Sequence, residues 1–220
     1  MKQSRLPNSQ SNISLISLLP NRMQDNWLYK TLAIIGDRLF GISKLRDTYE
    51  KIGLSGLDKQ DFCSKLLQEL NIQIEGENTL LDCVPKTGGM IIVCNHPHGM
   101  LDGIIIAKLL TSQRKDTKIL ANIGLKMIKE IREYFIFSNP LKANVPINIK
   151  AIKQCIAHVK QGGLLVIFPA GRVSFYHKEN QKIADGEWNR ITINIATKTK
   201  APILPVHVSG KNSNWFYRIG

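Results

Sequence analysis

The sequence predicts an α/β protein in which a mostly parallel central sheet is flanked by helices and preceded by an N-terminal amphipathic helical hairpin. Short apolar runs at 90–94, 119–121 and 164–168 have the length and composition of buried strands. Stretches with helical periodicity separate these runs, and such alternation is typical of a parallel sheet. The chain has 220 residues, of which 43% are hydrophobic, so it can bury a core.

The first 71 residues divide into a leader and a helical hairpin. Residues 1–25 are polar and rich in Ser and Asn, and we expect a flexible leader there. Between 27 and 52 apolar residues recur every three or four positions, which predicts an amphipathic helix. Asp58 is placed to cap a second helix. The hairpin, 26–71, could pack its apolar stripe on the domain or lay it in a lipid interface, and both readings remain open.

The remaining residues, 72–220, carry the strands and helices of the α/β domain. Besides the three apolar runs, we expect strands at 72–74 and 203–208. Asp185 is placed to cap a helix that carries Trp188. The other expected helices cover about 103–112, 126–136 and 149–159.

The charge balance indicates an anionic partner. Thirty Lys and Arg face 17 Asp and Glu, which gives a formal net charge of +13. Such an excess suits nucleic acid, an acidic membrane surface, or an acidic substrate or carrier. The basic residues are spread along the chain and form no nucleic-acid-binding module, so we expect no nucleic-acid partner. No run of 18 apolar residues occurs, and any membrane association should be peripheral.

Titratable residues follow the apolar run that ends at Cys94. The segment 95–103 reads NHPHGMLDG, and its Gly and Pro predict a turn that could bring Asp102 back onto His96. A carboxylate bonded to one imidazole nitrogen would leave the other nitrogen as a base of fixed tautomer. His98 is a rival base. Asp102 could instead only cap the following helix.

A second polar loop follows the apolar run at 164–168. It continues as Pro-Ala-Gly-Arg-Val-Ser to residue 174. Gly171 allows a tight turn, and Arg172 could bind a phosphate group with help from the hydroxyl of Ser174. On its own this pattern is equally typical of an ordinary turn.

Taken together, three blocks resemble the PlsC-type glycerolipid acyltransferases. They are 95–103, 168–174 (FPAGRVS) and 201–206 (APILPV), in the family's order and at similar spacing. The Asn-His-Pro start and the Phe-Pro-Ala-Gly turn are most similar to the bacterial hemolysin-related branch. Five residues separate His96 from Asp102, whereas most of the family has four.

The resemblance implies an acyltransferase with a His–Asp general base, made here by His96 and Asp102. It would move a fatty acyl group from acyl-CoA or acyl carrier protein to the hydroxyl of a lysophospholipid or lyso-aminolipid, without a metal or other cofactor. It would act peripherally at an anionic membrane surface, on the cytoplasmic face of the bacterial inner membrane. The residues expected to bind the acceptor are Asn95, Gly99, Pro169, Gly171, Arg172 and Ser174.

Two other interpretations remain open. Cys94, His96, His98 and Asp102 include a His-x-His pair of the kind that some zinc hydrolases use. The chain could also be a lipid-binding relative without catalysis, since Ala170 stands where most of the family has Glu.

Overall fold

The chain folds as two compact units. The first consists of residues 1–71 and 124–132, and the second of 72–123 and 133–220. The sequence did not indicate that 124–132 belongs with the N-terminal helices. The computed structural model describes residues 13–39, 42–139 and 145–212.

The described part of the first unit is helical. The carboxylate of Asp58 accepts the N–H groups of Gln60 at 2.7 Å and Asp61 at 3.0 Å, which confirms the predicted cap. No helix among the described residues is long and apolar enough to cross a bilayer. The elements are a 3-10 turn at Leu15–Leu18 and the helices α1 (Asn21–Gln24), α2 (Trp27–Leu39), α3 (Ile42–Ile52) and α4 (Lys59–Glu69).

The segment predicted to be a flexible leader is folded over its described part. Ile13 is buried, and the Leu15 N–H donates to the carboxylate of Asp37 at 2.8 Å. Asp37 is itself buried, and this hydrogen bond offsets part of the free-energy cost of placing its carboxyl group inside the protein. Residues 1–12 of the expected leader lie outside the described residues.

The second unit is built on a parallel sheet. Five strands pair in the order β3-β2-β4-β1-β7, and each pairing among them is parallel. A separate antiparallel hairpin is formed by β5 and β6. This arrangement confirms the predicted fold class. The strands are β1 (Met90–Cys94), β2 (Lys118–Asn122), β3 (Phe135–Ser138), β4 (Leu164–Ile167), β5 (Phe175–His177), β6 (Lys182–Ala184) and β7 (Ile203–Val206).

Four helices accompany the sheet. They are α5 (Glu77–Asp82), α6 (Met100–Gln113), α7 (Pro146–Lys160) and α8 (Ile191–Thr199). Strands β1 and β4 are buried along their whole length, as expected for central strands of a covered sheet. One face of the sheet packs against α7 and α8, and the core there contains Ile91, Val93, Leu165, Ile167, Ala151, Cys155, Val159 and Ile195.

The strand register brings three loops to one edge of the sheet. Val93 in β1 is level with Ile167 in β4, and Cys94 is level with Val206 in β7. Because these strands are parallel, the segments that follow them leave the sheet side by side. The first two blocks, 95–103 and 168–174, therefore leave the sheet side by side, next to the carboxyl end of β7, the strand that the third block forms.

Three expectations about secondary structure were wrong, and one hairpin was missed. Residues 72–74 form no strand, and the expected helix at 126–136 is replaced by short 3-10 turns and β3. The run that forms β3 is aromatic and β-branched, and it pairs with β2, a partner that local periodicity does not reveal. The hairpin β5–β6 was not predicted. Helix α8 begins at Ile191 after Arg190, so Asp185 does not cap it.

Arg114 ties together the opposite edge of the sheet, where the strands begin. Its side chain is only 2% exposed, and its guanidinium donates to the carbonyls of Pro85 at 2.9 Å, Gly88 at 3.0 Å and Gly162 at 2.7 Å. It also forms two bonds to the carboxylate of Asp116, whose pKa is lowered by the guanidinium. These partners lie in the segments that lead into β1, β4 and β2.

We expect Arg114→Met to destabilise the protein by about 3 kcal/mol, because it leaves three main-chain carbonyls and a carboxylate without their hydrogen-bond donor. The measurement is urea unfolding at pH 7, followed by tryptophan fluorescence. Lys115→Met removes an exposed positive charge from the next position and should change the free energy of unfolding little. Equal stability of the two variants would contradict this role for Arg114.

Candidate active site

His96 and Asp102 form a hydrogen-bonded pair at the carboxyl end of β1. His96 Nδ1 lies 3.0 Å from Asp102 Oδ2, and the side chains of His96 and Asp102 are 18% and 0% exposed. The imidazole stacks on Phe168 from the second loop, with ring centroids 4.2 Å apart. Because a carboxylate only accepts, Nδ1 carries the proton and Nε2 keeps a lone pair. No described residue bonds Nε2, so this nitrogen can accept a proton from a substrate.

Gly99, the residue before α6, has a backbone conformation that favours glycine. Its φ of 69° and ψ of −130° are conformations that residues with a side chain rarely adopt. A Cβ at this position would lie 3.0 Å from Cγ2 of Val173. Two hydrogen bonds hold the turn together. The N–H of His98 donates to Asp102 Oδ2 at 2.9 Å, and the N–H of Asp102 donates to the Gly99 carbonyl at 3.0 Å. Gly99 thus shapes the loop and brings it against the second loop.

His98 takes a different position from His96. Its Nε2 lies 3.1 Å from the carbonyl of Ser209, beyond β7, and only its main chain reaches Asp102. Of the two candidate bases, the structure therefore places only the His96 ring on the carboxylate.

Asn95 links this loop to the segment after β7. Its Nδ2 donates to the Val208 carbonyl at 2.8 Å, and its Oδ1 accepts the Val208 N–H at 2.7 Å. Asn212 Nδ2 donates to the carbonyl of Pro97 at 2.8 Å. The Asn95 amide is therefore engaged with main chain on both sides, and its contact with the acceptor stays a prediction.

The second loop is a tight turn with one exposed cation. Gly171, with φ 68°, donates its N–H to the Phe168 carbonyl at 3.0 Å, and the buried Pro169 accepts the N–H of Asn189 at 3.1 Å. Arg172 is exposed, and its guanidinium lies 4.0 Å from the centroid of the Phe175 ring. Of the residues predicted to bind the acceptor from this loop, Arg172 presents a charged group to solvent.

Ser174 is buried and bonded within the protein. Its hydroxyl donates to Asp185 Oδ1 at 2.6 Å, and its N–H donates to the His96 carbonyl at 2.9 Å. Asp185 is a site residue that local sequence patterns did not reveal, because an Asp at this position is also typical of a helix cap. The signal that could have found it is Asp-Gly directly after an apolar pair, which is typical of a loop rather than of a helix start.

The thiol at the end of β1 is protonated at neutral pH. Burial, followed by the charges of Asp102 and Asp185, raises the pKa of Cys94 to about 12. A buried thiol with a raised pKa is a poor nucleophile. Among the described residues no three His, Cys, Asp or Glu side chains are placed to hold a metal ion together. The geometry favours base chemistry at His96 over the metal-hydrolase alternative.

The family model and the curated relatives that match this chain are all described as acyltransferases. Residues 56–220 match a family model described as Acyltransferase. The chain is 26% identical over 177 residues to the lyso-glycine lipid O-acyltransferase of Bacteroides thetaiotaomicron, covering 80% of this chain and 60% of that protein. It is 25% identical over 176 residues to the enzyme of the same name from Phocaeicola vulgatus, covering 80% and 58%.

The chain thus spans about 60% of the length of the curated relatives it matches. The family match covers well over half of the chain and includes all three of the sequence blocks described above. Both His96 and Asp102 lie inside it. This chain belongs to the acyltransferase family.

Proposed function

We propose that this chain transfers a fatty acyl group from a thioester donor, acyl-CoA or acyl carrier protein, to the hydroxyl of a lysolipid. The observation that carries the proposal is the pair of His96 Nδ1 and Asp102 Oδ2 at 3.0 Å. Asp102 fixes the tautomer of the imidazole and leaves Nε2 as the base. Because the chain belongs to the acyltransferase family, acyl transfer is the reaction that we assign to this base.

The reaction needs only one proton carrier. His96 Nε2 removes the proton of the acceptor hydroxyl while the oxygen attacks the thioester carbonyl. When the carbon–sulfur bond breaks, the proton on Nε2 passes to the departing thiolate. Asp102 stays ionised throughout and stabilises the imidazolium that exists between the two transfers.

The oxyanion of the tetrahedral intermediate needs hydrogen-bond donors. The Gly171 N–H is already bonded to the Phe168 carbonyl. The first turn of α6, which begins at Met100 after the His96 loop, is the better candidate. The N–H groups and positive dipole end of that turn suit a developing negative charge.

His96→Ala should lower kcat at least about 100-fold, and Asp102→Asn about as much because an amide does not hold the same tautomer. The assay measures transfer from labelled acyl-CoA and acyl carrier protein to a panel of lysolipids. His98→Ala is the matched control, since its main-chain bond to Asp102 survives, and it should keep near-normal kcat. Loss of activity only in His98→Ala would show that His98, and not His96, is the base.

The acceptor is proposed to have an anionic head group, with lyso-glycine lipid as a specific candidate. Two relatives carry that substrate in their names, and a glycine joined through its nitrogen presents a carboxylate. Arg172 is exposed, lies two residues before Ser174, whose N–H bonds the His96 carbonyl, and forms no ion pair with a described carboxylate. A guanidinium binds a carboxylate or a phosphate with two parallel bonds.

Arg172→Gln should raise KM about 10-fold for lyso-glycine lipid, the loss expected for a charge-assisted hydrogen bond. The uncharged methyl ester of the same lipid should show no such change. Lys178→Gln removes an exposed charge from the neighbouring hairpin and serves as the control. An equal rise in KM for acid and ester would show that Arg172 does not bind the head group.

We also propose that α2 contacts the membrane. The helix buries Ala33 and Asp37, whereas five large apolar side chains between 27 and 35 lie in solvent. This is the reverse of a helix that packs on its own protein, and it fits a helix that lies in a lipid interface. The net charge of +13 would add attraction to anionic lipids. The exposed residues, between 48% and 75% accessible, are Trp27, Leu28, Leu32, Ile34 and Ile35.

The double variant Leu32→Gln, Ile35→Gln should bind vesicles of phosphatidylethanolamine and phosphatidylglycerol at least about 10-fold more weakly, because two side chains no longer enter the lipid. The measurement is co-sedimentation at fixed salt. Leu70→Gln makes the same change at an exposed leucine outside α2 and should have little effect. Unchanged binding of the double variant would exclude this face as the contact.

A further inference from the structure

The main chain of His96 is held from both sides by one small network. Its N–H donates to Asp185 Oδ1 at 3.0 Å, and its carbonyl accepts the N–H of Ser174 at 2.9 Å. The hydroxyl of Ser174 donates to the same Asp185 oxygen at 2.6 Å. The three residues thus close a ring of hydrogen bonds that joins the first loop, the second loop and the segment after β6.

The network requires a carboxylate at position 185. Oδ1 accepts two donors, and Oδ2 accepts the indole N–H of Trp188 at 3.0 Å. An amide has one acceptor atom and one donor atom, so it would set an N–H group against one of these donors. The main chain here is also held, since His177 Nε2 lies 3.1 Å from the Asp185 carbonyl.

A fixed main chain matters because Asp102 bonds the ring of His96 but not the main chain of that residue. The bond from Nδ1 to Asp102 sets the rotation of the imidazole, but the place of Nε2 also depends on where the backbone of His96 lies. That backbone follows the last residue of β1, and the loop has no regular pairing of its own. A displacement of about 1 Å at a reacting atom can cost about 100-fold in rate.

We propose that Asp185, with Ser174, is a positioning residue for the acyl transfer, because it fixes the main chain of His96 so that Nε2 meets the acceptor hydroxyl. Asp185 does not act as a base, since its oxygens are occupied by three donors. The proposal rests on the function proposed above for His96. It assigns to Ser174 a place in this network in addition to the acceptor contact expected from the sequence.

Asp185→Ala should lower kcat about 100-fold, while KM for donor and acceptor changes less than about threefold. Asp185→Asn should lower kcat less, because its amide oxygen can still accept the His96 N–H. Ser174→Ala, which keeps the carboxylate and loses one donor, should lower kcat about 10-fold. Together, the Ser174 and Asp185 changes should cost less than the product of their separate effects. Glu187→Gln, an exposed acid two residues away, is the control and should keep normal kcat.

A spectroscopic measurement separates positioning from general stability. The proton between His96 Nδ1 and Asp102 gives a downfield NMR signal that His96→Ala identifies by its absence. In Asp185→Asn this signal should shift or broaden while the melting temperature stays within a few degrees of the wild-type value. Asp185 would not be a positioning residue if kcat and the signal were both unchanged, or if KM rose with kcat unchanged.

The same measurements distinguish a failure of the parent proposal. If His96→Ala retained full acyl transfer, the assignment of His96 as the base would be lost. The shift of the Nδ1 proton in Asp185→Asn would then still report whether Asp185 holds the His96 loop. An unchanged proton signal in both Asp185→Asn and Ser174→Ala would overturn the inference on its own.

Discussion

The parallel pairing of β1 with β4 on one side and β7 on the other is the constraint on which the active site depends. The register places Val93 level with Ile167, and Cys94 level with Val206. Three polar loops far apart in the sequence therefore leave the sheet at one edge. None of them contains a complete site, because the base, its stacking partner Phe168 and the carbonyls that hold Asn95 and His98 come from different loops.

Polar side chains secure both edges of the sheet. At the start of the strands, the guanidinium of Arg114 donates hydrogen bonds to carbonyls in the segments that lead into β1 and β4. At the carboxyl end, Asp102 and Asp185 collect N–H groups from the His96 loop. A cation suits carbonyls, and carboxylates suit N–H groups, so each edge carries the charge that its exposed backbone groups require. The apolar core between them needs no such groups.

Features of this fold that are local in sequence could be predicted, and those that depend on a distant partner could not. The buried runs of β1 and β4 and the Asp58 cap depend on residues a few positions apart. The His96–Asp102 pair is also local, since a turn of six residues suffices to form it. In contrast, β3 is a strand because β2 lies beside it, and Asp185 accepts from residues 89 and 11 positions away. A helix-cap reading of Asp185 used only its immediate neighbours.

The side chains packed near His96 carry charge of the opposite sign to the net charge of the chain. The net charge of +13 attracts anions over a long range. Near the imidazole, however, Asp102 and Asp185 supply negative charge, which also acts on Cys94. In the proposed reaction, these carboxylates would stabilise positive charge on the imidazole and disfavour an anion next to Nε2. The proposed anionic head group is therefore better held at the exposed Arg172, and the neutral hydroxyl is the part of the proposed acceptor that suits the position next to Nε2.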